Sequence, residues 1–438
     1  MRSDSAGNGL YSIETKQALY LLSVFILSVA FDVKGTAGGS PIQFILAGIS
    51  VLTFILIAVH FRFIFPASGA AGYIVWCWVL FLLIGSIGSL IHKVPFGQYI
   101  RIFDSYFLFL EGFLVAWWYT KIKRLGNALI KRMILAAIIS LFFTLWWGFN
   151  FTGENISIIH FSILSPLLPF LITAAGYDLI FARHNRILSL ILLVSGFTII
   201  VISSVRGMLL VIALVSCGII LAWLWNVLRG RAVVPRPLMN GFIVIFLIIM
   251  VGVLAASFID PGVAIRWFTS ITGQHRDITS WTRVAAVAGQ WKELTTHTMA
   301  WVFGLGFGHN YQWSSQFAPL VLPYDIPKSF DINYWYPGEF MWITPWFYSG
   351  FIIGSLGIIA LLIGVFISLR SIITVLNYGL WRTYSVRPIA IGALGYIGFL
   401  GLGFTSNPFM WRLAPMFMGL CLGLVFTKPT IRGFVLRD

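Results

Sequence analysis

Apolar runs of helix-spanning length recur from one end of this 438-residue chain to the other. A membrane helix needs about 20 apolar residues to cross the hydrocarbon core, and little besides a membrane accommodates so many such runs. Twelve spans are read, near residues 17–31, 41–60, 71–91, 101–120, 133–151, 158–181, 187–204, 207–227, 241–259, 340–367, 388–405 and 411–427. The composition agrees: 59% of residues are hydrophobic, 10% are charged and mean hydropathy is +0.92, far from a soluble domain. The expected class is an all-α polytopic membrane protein of about twelve transmembrane helices with one large periplasmic loop containing short helices. Residues 1–259 then hold spans one to nine, 260–338 the loop, and 339–438 the last three spans and a cytoplasmic tail. The N-terminus, Met1–Lys16, is polar, so the first apolar run reads as a retained span rather than a signal peptide.

The net charge of +15 raises the question of a nucleic-acid partner, and its distribution answers it. With the N-terminus inside, the inner segments collect 19 of the 29 lysines and arginines. Lys121, Lys123, Arg124, Lys131 and Arg132 form one cluster, and Arg370, Arg382 and Arg387 another. This is the positive-inside pattern, with both termini cytoplasmic. No nucleic-acid partner is needed to account for it. Cys77, Cys217 and Cys421 all fall in apolar spans, so the large loop has no disulfide framework and no cysteine metal site.

The loop from Asp260 to about Gly338 is the outlier among the connections, and loops of that length usually carry function. Arg266, Arg276 and Arg283 lie early in it, Asp325, Asp331 and Glu339 at its end, and Gly304-Leu-Gly-Phe-Gly308 between. Counting Glu339, five basic residues face six acidic ones, so the loop is nearly neutral. Residues Val284–Leu294 read as a helix with the stripe Trp281, Val284, Ala288 and Trp291, expected to lie against the membrane interface. The glycine run lacks the setting of a dinucleotide fingerprint and reads as a sharp turn or a close backbone approach. His275, His297 and His309 lack metal-ligand spacing, so neither a metal nor a cofactor is expected. Tyr324, Tyr334, Trp335 and Tyr336 suit either a glycan acceptor or an aromatic belt.

Ionisable residues at membrane depth mark interior or functional positions. Arg101, Asp104 and Glu111 share one face of span four. Arg101 and Asp104 are expected to pair at the outer interface, while Glu111 lies deeper. In span six, His160 is a packing residue by type, and Pro166 and Pro169 predict a kink. Arg206, in Ser203-Ser-Val-Arg-Gly207, sits at the outer boundary with no acidic residue close in sequence. An arginine there either anchors a helix end or grips phosphate. Arg283 beside a helix N-terminus suits an anion in the same way. Glu339, at the mouth of span ten, suits a general base.

Taken in order, Ser203–Leu210 (SSVRGMLL), Ser280–Trp291 (SWTRVAAVAGQW), Phe303–Gly308 (FGLGFG), Glu339–Gly354 (EFMWITPWFYSGFIIG) and the closing region Asn407–Leu420 resemble the O-antigen polymerase and O-antigen ligase superfamily of GT-C-like bacterial envelope glycosyltransferases. The resemblance covers the second half best. It departs at one position: ligases carry a His-Asn pair at the start of the re-entry run, where this chain has Glu339-Phe340, which favours a polymerase. The resemblance implies an inner-membrane enzyme with a periplasmic active face. It would transfer a growing glycan from a polyprenyl diphosphate carrier onto another lipid-linked repeat unit, without metal or nucleotide. A chain-length regulator is an implied partner. Arg206 and Arg283 would stabilise the diphosphate leaving group, with Glu339 as base. Arg266, Arg276, Arg101, His309 and Tyr336 complete the candidate substrate-binding set. The alternatives are a ligase that transfers to lipid A-core, a transporter of the same lipid-linked sugar, and an assembly subunit. A transporter would show paired broken helices in two repeated halves, and no such repeat is visible.

Overall fold

The computed structural model of the chain describes residues 13–32, 41–61, 63–151, 163–182, 185–203, 206–230, 236–259, 262, 278–313, 332–377, 380–404, 407–411 and 413–427. These are almost entirely helical. Among the described residues, nine α-helices precede the large loop: α1 (Ile13–Leu27), α2 (Pro41–His60), α3 (Gly69–Ile91), α4 (Phe96–Lys121), α5 (Gly126–Phe151), α6 (Leu168–Tyr177), α7 (Arg186–Ser203), α8 (Arg206–Leu228) and α9 (Arg236–Ile259). The loop contributes α10 (Ile278–Thr296), the short α11 (Ala300–Phe303) and a hairpin of β1 (Tyr311–Trp313) and β2 (Ile332–Trp335). The strands run antiparallel, Tyr311 opposite Trp335. Then come α12 (Thr344–Asn377), α13 (Arg387–Leu402) and α14 (Ala414–Val425).

Among the described residues, six helices are long and apolar enough to cross a membrane, within 14–31, 42–60, 69–91, 126–150, 186–203 and 344–376. Five further apolar helical stretches cover 168–182, 210–225, 246–258, 387–402 and 414–425. Helix α4 has the length but carries Arg101, Asp104 and Glu111, and it is buried inside the bundle, where its charges avoid lipid. Its main partner is α14, whose residues are all buried. The two backbones come so close that a Cβ on Gly112 would meet the Met416 carbonyl oxygen at 2.1 Å, the small-residue packing that membrane helices use in place of a hydrophobic drive. Around this centre, α2 and α9 turn Ile45, Leu52, Val59, Leu254 and Phe258 outward.

Four local features differ from the sequence reading. Among the described residues no helix runs through Pro166: α6 begins at Leu168 with Pro169 in its first turn, where a missing N–H costs nothing, and the upstream part of the span expected to kink lies outside the described residues. Asp32, which falls between the first two spans of the sequence reading, is fully buried. Its Oδ2 accepts from the Leu413 and Ala414 amides at 2.9 and 3.1 Å, capping α14, while Gln43 donates to Oδ1 at 3.0 Å. Arg387, counted above as a basic topology marker, is buried against Asp178. Its Nε and NH2 groups donate to the two carboxylate oxygens at 2.7 and 2.6 Å. Helix α12 breaks at Ser349 and Gly350, so a short turn of helix precedes the long apolar stretch.

Candidate functional site

The glycine run sets the position of everything around the site. Gly304, Gly306 and Gly308 have φ of +70°, +91° and +80°, a region that favours glycine. The run packs on the α3–α4 junction: Phe307 N–H donates to Gly85 O at 3.4 Å and the Ser89 hydroxyl to Phe307 O at 3.1 Å. On the other side, the Leu305 and Gly306 amides donate to Phe347 O and Tyr348 O at 2.8 and 3.0 Å. The fully buried Phe307 ring lies among Phe81, Tyr106 and Tyr348, with centroids 5.2–5.5 Å apart. Both alternatives read for this run, sharp turn and close approach, are present together.

That packing brings the end of the large loop against α4 and α12. Tyr311 donates its hydroxyl to Pro337 O at 2.5 Å, and Tyr348 donates to Tyr336 O at 3.1 Å while accepting from the Gly338 amide at 3.1 Å. Asn407 Nδ2 donates to Gly338 O at 2.7 Å. Residues 336–338 are therefore held by three side chains from three parts of the chain. Next comes Glu339, half-buried, presented just before α12. Arg101 reaches the same place from α4: its NH1 donates to the Tyr336 hydroxyl, and its guanidinium lies 5.3 Å from the Tyr336 ring centre. Burial, and then the Glu339 charge, hold the Tyr311 phenol well above its usual pKa, which keeps it a hydroxyl donor. Arg101 thus meets the Tyr336 phenol beside the fixed segment 336–338, and the Glu339 carboxylate follows that segment; these are groups able to hold an anion and to accept a hydroxyl proton.

Of the sequence candidates, Arg101 and Tyr336 meet here, and Glu339 follows three residues on, with its charge acting on Tyr311. Arg283 lies in α10, half-buried. Its helix buries Ala285, Ala286, Gly289 and Leu294. Val284 and Ala288 of the tryptophan stripe are half-buried, and Trp291 is 47% exposed. Arg206 opens α8 with its side chain outside the described residues, where Arg266, Arg276 and His160 also lie. Asp104 and Glu111 are both buried, Glu111 with the Ser50 hydroxyl of α2 facing it at 3.5 Å. Sequence reasoning missed Tyr311, Tyr348 and Asn407. Tyr348 lay inside the Glu339–Gly354 run and Asn407 opened the closing region, while Tyr311 carried no signal.

His309 joins a different group, and here the expectation of no metal-ligating set meets a contrary arrangement. Ligand atoms of Glu293, His297 and His309 all lie within 4.8 Å of one another. The His92 ring sits 5.4 Å from that of His309 and 5.6 Å from that of His297. Burial, then His92 and His297, push His309 down to about 4, and burial with His297 lowers His92. Both rings are neutral near pH 7, the form that binds metals.

A separate cavity of about 60 Å³ lies among α6, α7, α8 and α13, lined mainly by apolar side chains such as Ile172, Leu193, Phe197 and Val211; it offers no catalytic chemistry. No family model, curated protein or solved structure matches the chain.

Proposed function

We propose that this protein is a glycosyltransferase of twelve spans that joins polyprenyl-diphosphate-linked oligosaccharide repeat units at the outer face of the bacterial inner membrane. The observation that carries this reading is the contact of Arg101 with Tyr336 at the end of the large loop, with Glu339 three residues further along and close enough for its charge to act on Tyr311. The ordered motifs of the second half, with Glu339 in place of the ligase histidine, support a polymerase over a ligase.

The chemistry follows from charge placement. A lipid diphosphate leaves the anomeric carbon as negative charge builds on its oxygens, so cations held in place lower the barrier. Arg206, Arg283 and Arg101 supply them in this reading, with Arg266 and Arg276 as further contacts. Glu339 takes the proton of the attacking sugar hydroxyl. Its neighbours Pro337 and Gly338 are fixed by Tyr311, Tyr348 and Asn407, which limits how far the carboxylate can stray from a reactive position. Tyr336 offers a ring face to the acceptor sugar.

Reconstitution of the purified protein with a lipid-linked repeat unit tests the reading. Polymer ladders without a core acceptor are expected, and product appearing only with lipid A-core reassigns the protein as a ligase. Arg206→Ala and Glu339→Gln, each at normal expression, are expected to lose about 100-fold or more in rate. Wild-type chain length in both variants sinks the assignment.

A further inference from the structure

Three histidines and a glutamate from separate parts of the chain converge at the end of α3. His92 follows α3 directly, its amide bonded to Gly88 O at 3.0 Å. His309 follows the glycine turn that packs on the same helix, and its amide donates to Gly306 O at 3.3 Å. Glu293 lies in the last turn of α10 and His297 immediately follows that helix, four residues on and so near the same face. His297 Nε2 stands 3.8 Å from Glu293 Oε2. The arrangement involves none of the residues assigned above to base or diphosphate chemistry.

We propose that Glu293, His297 and His309 bind one divalent transition-metal ion of the zinc class, with His92 beside the open fourth position. Imidazole is a borderline donor, so two imidazoles with a single carboxylate suit Zn²⁺ better than Mg²⁺ or Ca²⁺, which take oxygen ligands. Around tetrahedral zinc, ligand atoms at about 2.0–2.2 Å from the ion stand roughly 3.3 Å apart. The three ligand atoms already lie within 4.8 Å of one another. The side chains of His297 and Glu293 are 45% and 28% exposed, so rotation about their own bonds closes the difference without backbone movement. The bound ion ties the end of α10 to the glycine turn, and through it to α3. Its role is to fasten the large loop onto the helical bundle.

The test uses full-length protein in detergent, freed of any affinity tag and stripped with a chelator. Co²⁺ is titrated in and followed by the visible absorption of a tetrahedral site, and Zn²⁺ then competes it out. One equivalent is expected to bind, and Zn²⁺ is expected to raise the melting temperature. Loss of a ligand's hydrogen-bond partner alone costs about 10–100-fold in metal affinity, so His297→Ala and His309→Ala are each expected to weaken Zn²⁺ by about 100-fold or more. His60→Ala, next to Gln17, is expected to bind as wild type does. His297 is the more exposed ligand, so its variant carries the test if His309→Ala fails to fold. Absence of the cobalt band in the wild type, or equal zinc affinity in wild type and His297→Ala, overturns the proposal.

Discussion

A charge removed from water is stable only with its partner, and the Asp178–Arg387 pair shows how narrow that condition is. The two side chains are 6% and 4% exposed and bonded through two parallel contacts. Breaking such a pair strands the remaining charge and costs about 3–5 kcal/mol, whereas replacing both partners with apolar groups is often close to neutral. Arg387→Ala and Asp178→Ala are each expected to lower unfolding stability in detergent by that amount, with the Asp178→Leu/Arg387→Met double variant recovering most of it. Singles that melt like the wild type would show that the pair is solvated. From sequence, Arg387 looked like any other residue of a basic inner cluster. Nothing local distinguishes a topology charge from a buried one, because the partner lies 209 positions away.

At the scale of an element, the glycine turn shows why spacing alone was ambiguous. A short glycine run reads equally well as a loose connection or as a tight insertion. The choice depends on what surrounds it. A Cβ on Gly306 would stand 2.0 Å from the Ser89 amide nitrogen, and its φ of +91° disfavours any side chain. Because the obstacle is helix backbone, it cannot swing aside. Gly306→Ala is expected to cost at least about 2 kcal/mol. Gly48→Ala in α2, where nothing lies within 4 Å, should stay within about 0.5 kcal/mol. Thermal unfolding of the two variants checks the contrast, and equal melting would mean that the turn does not pack as described. Helix α10 makes a related point. Its tryptophan stripe is conspicuous in sequence, yet its buried face is the inconspicuous one of Ala285, Ala286 and Gly289. Gly289 abuts the hairpin, where an added Cβ would lie 2.1 Å from Gln312 O.

For the whole molecule, the consequence is a direction for every helix. If twelve spans alternate from a cytoplasmic N-terminus, the α3–α4 junction and the large loop share the outer face. The packing of residues 304–308 on that junction is consistent with this. In a background without native cysteines, Met299→Cys is expected to react with a membrane-impermeant maleimide added outside intact cells. Met299 is 64% exposed on the loop. Tyr384→Cys, exposed between α12 and α13, is expected to react only after permeabilisation. The reverse pattern inverts the topology, and labelling of both positions from outside contradicts the span count.

Apolar run length and the uneven placement of lysine and arginine are properties of the chain read locally, and together they were enough for the membrane class and an expected orientation. The bilayer requires them whatever the helices later contact. The glycine run, Arg101 and Glu339 were legible as candidates for a related reason, being residue types that such a chain rarely places without cause. Which candidates meet was decided by tertiary structure alone. Arg101 and Tyr336 are 235 positions apart, and Asp32 caps a helix 381 positions away. Glu293, His297 and His309 form a ligand set only once the glycine turn has seated against α3. Contacts of this kind depend on helix packing and close backbone approach, and no short window of sequence encodes either.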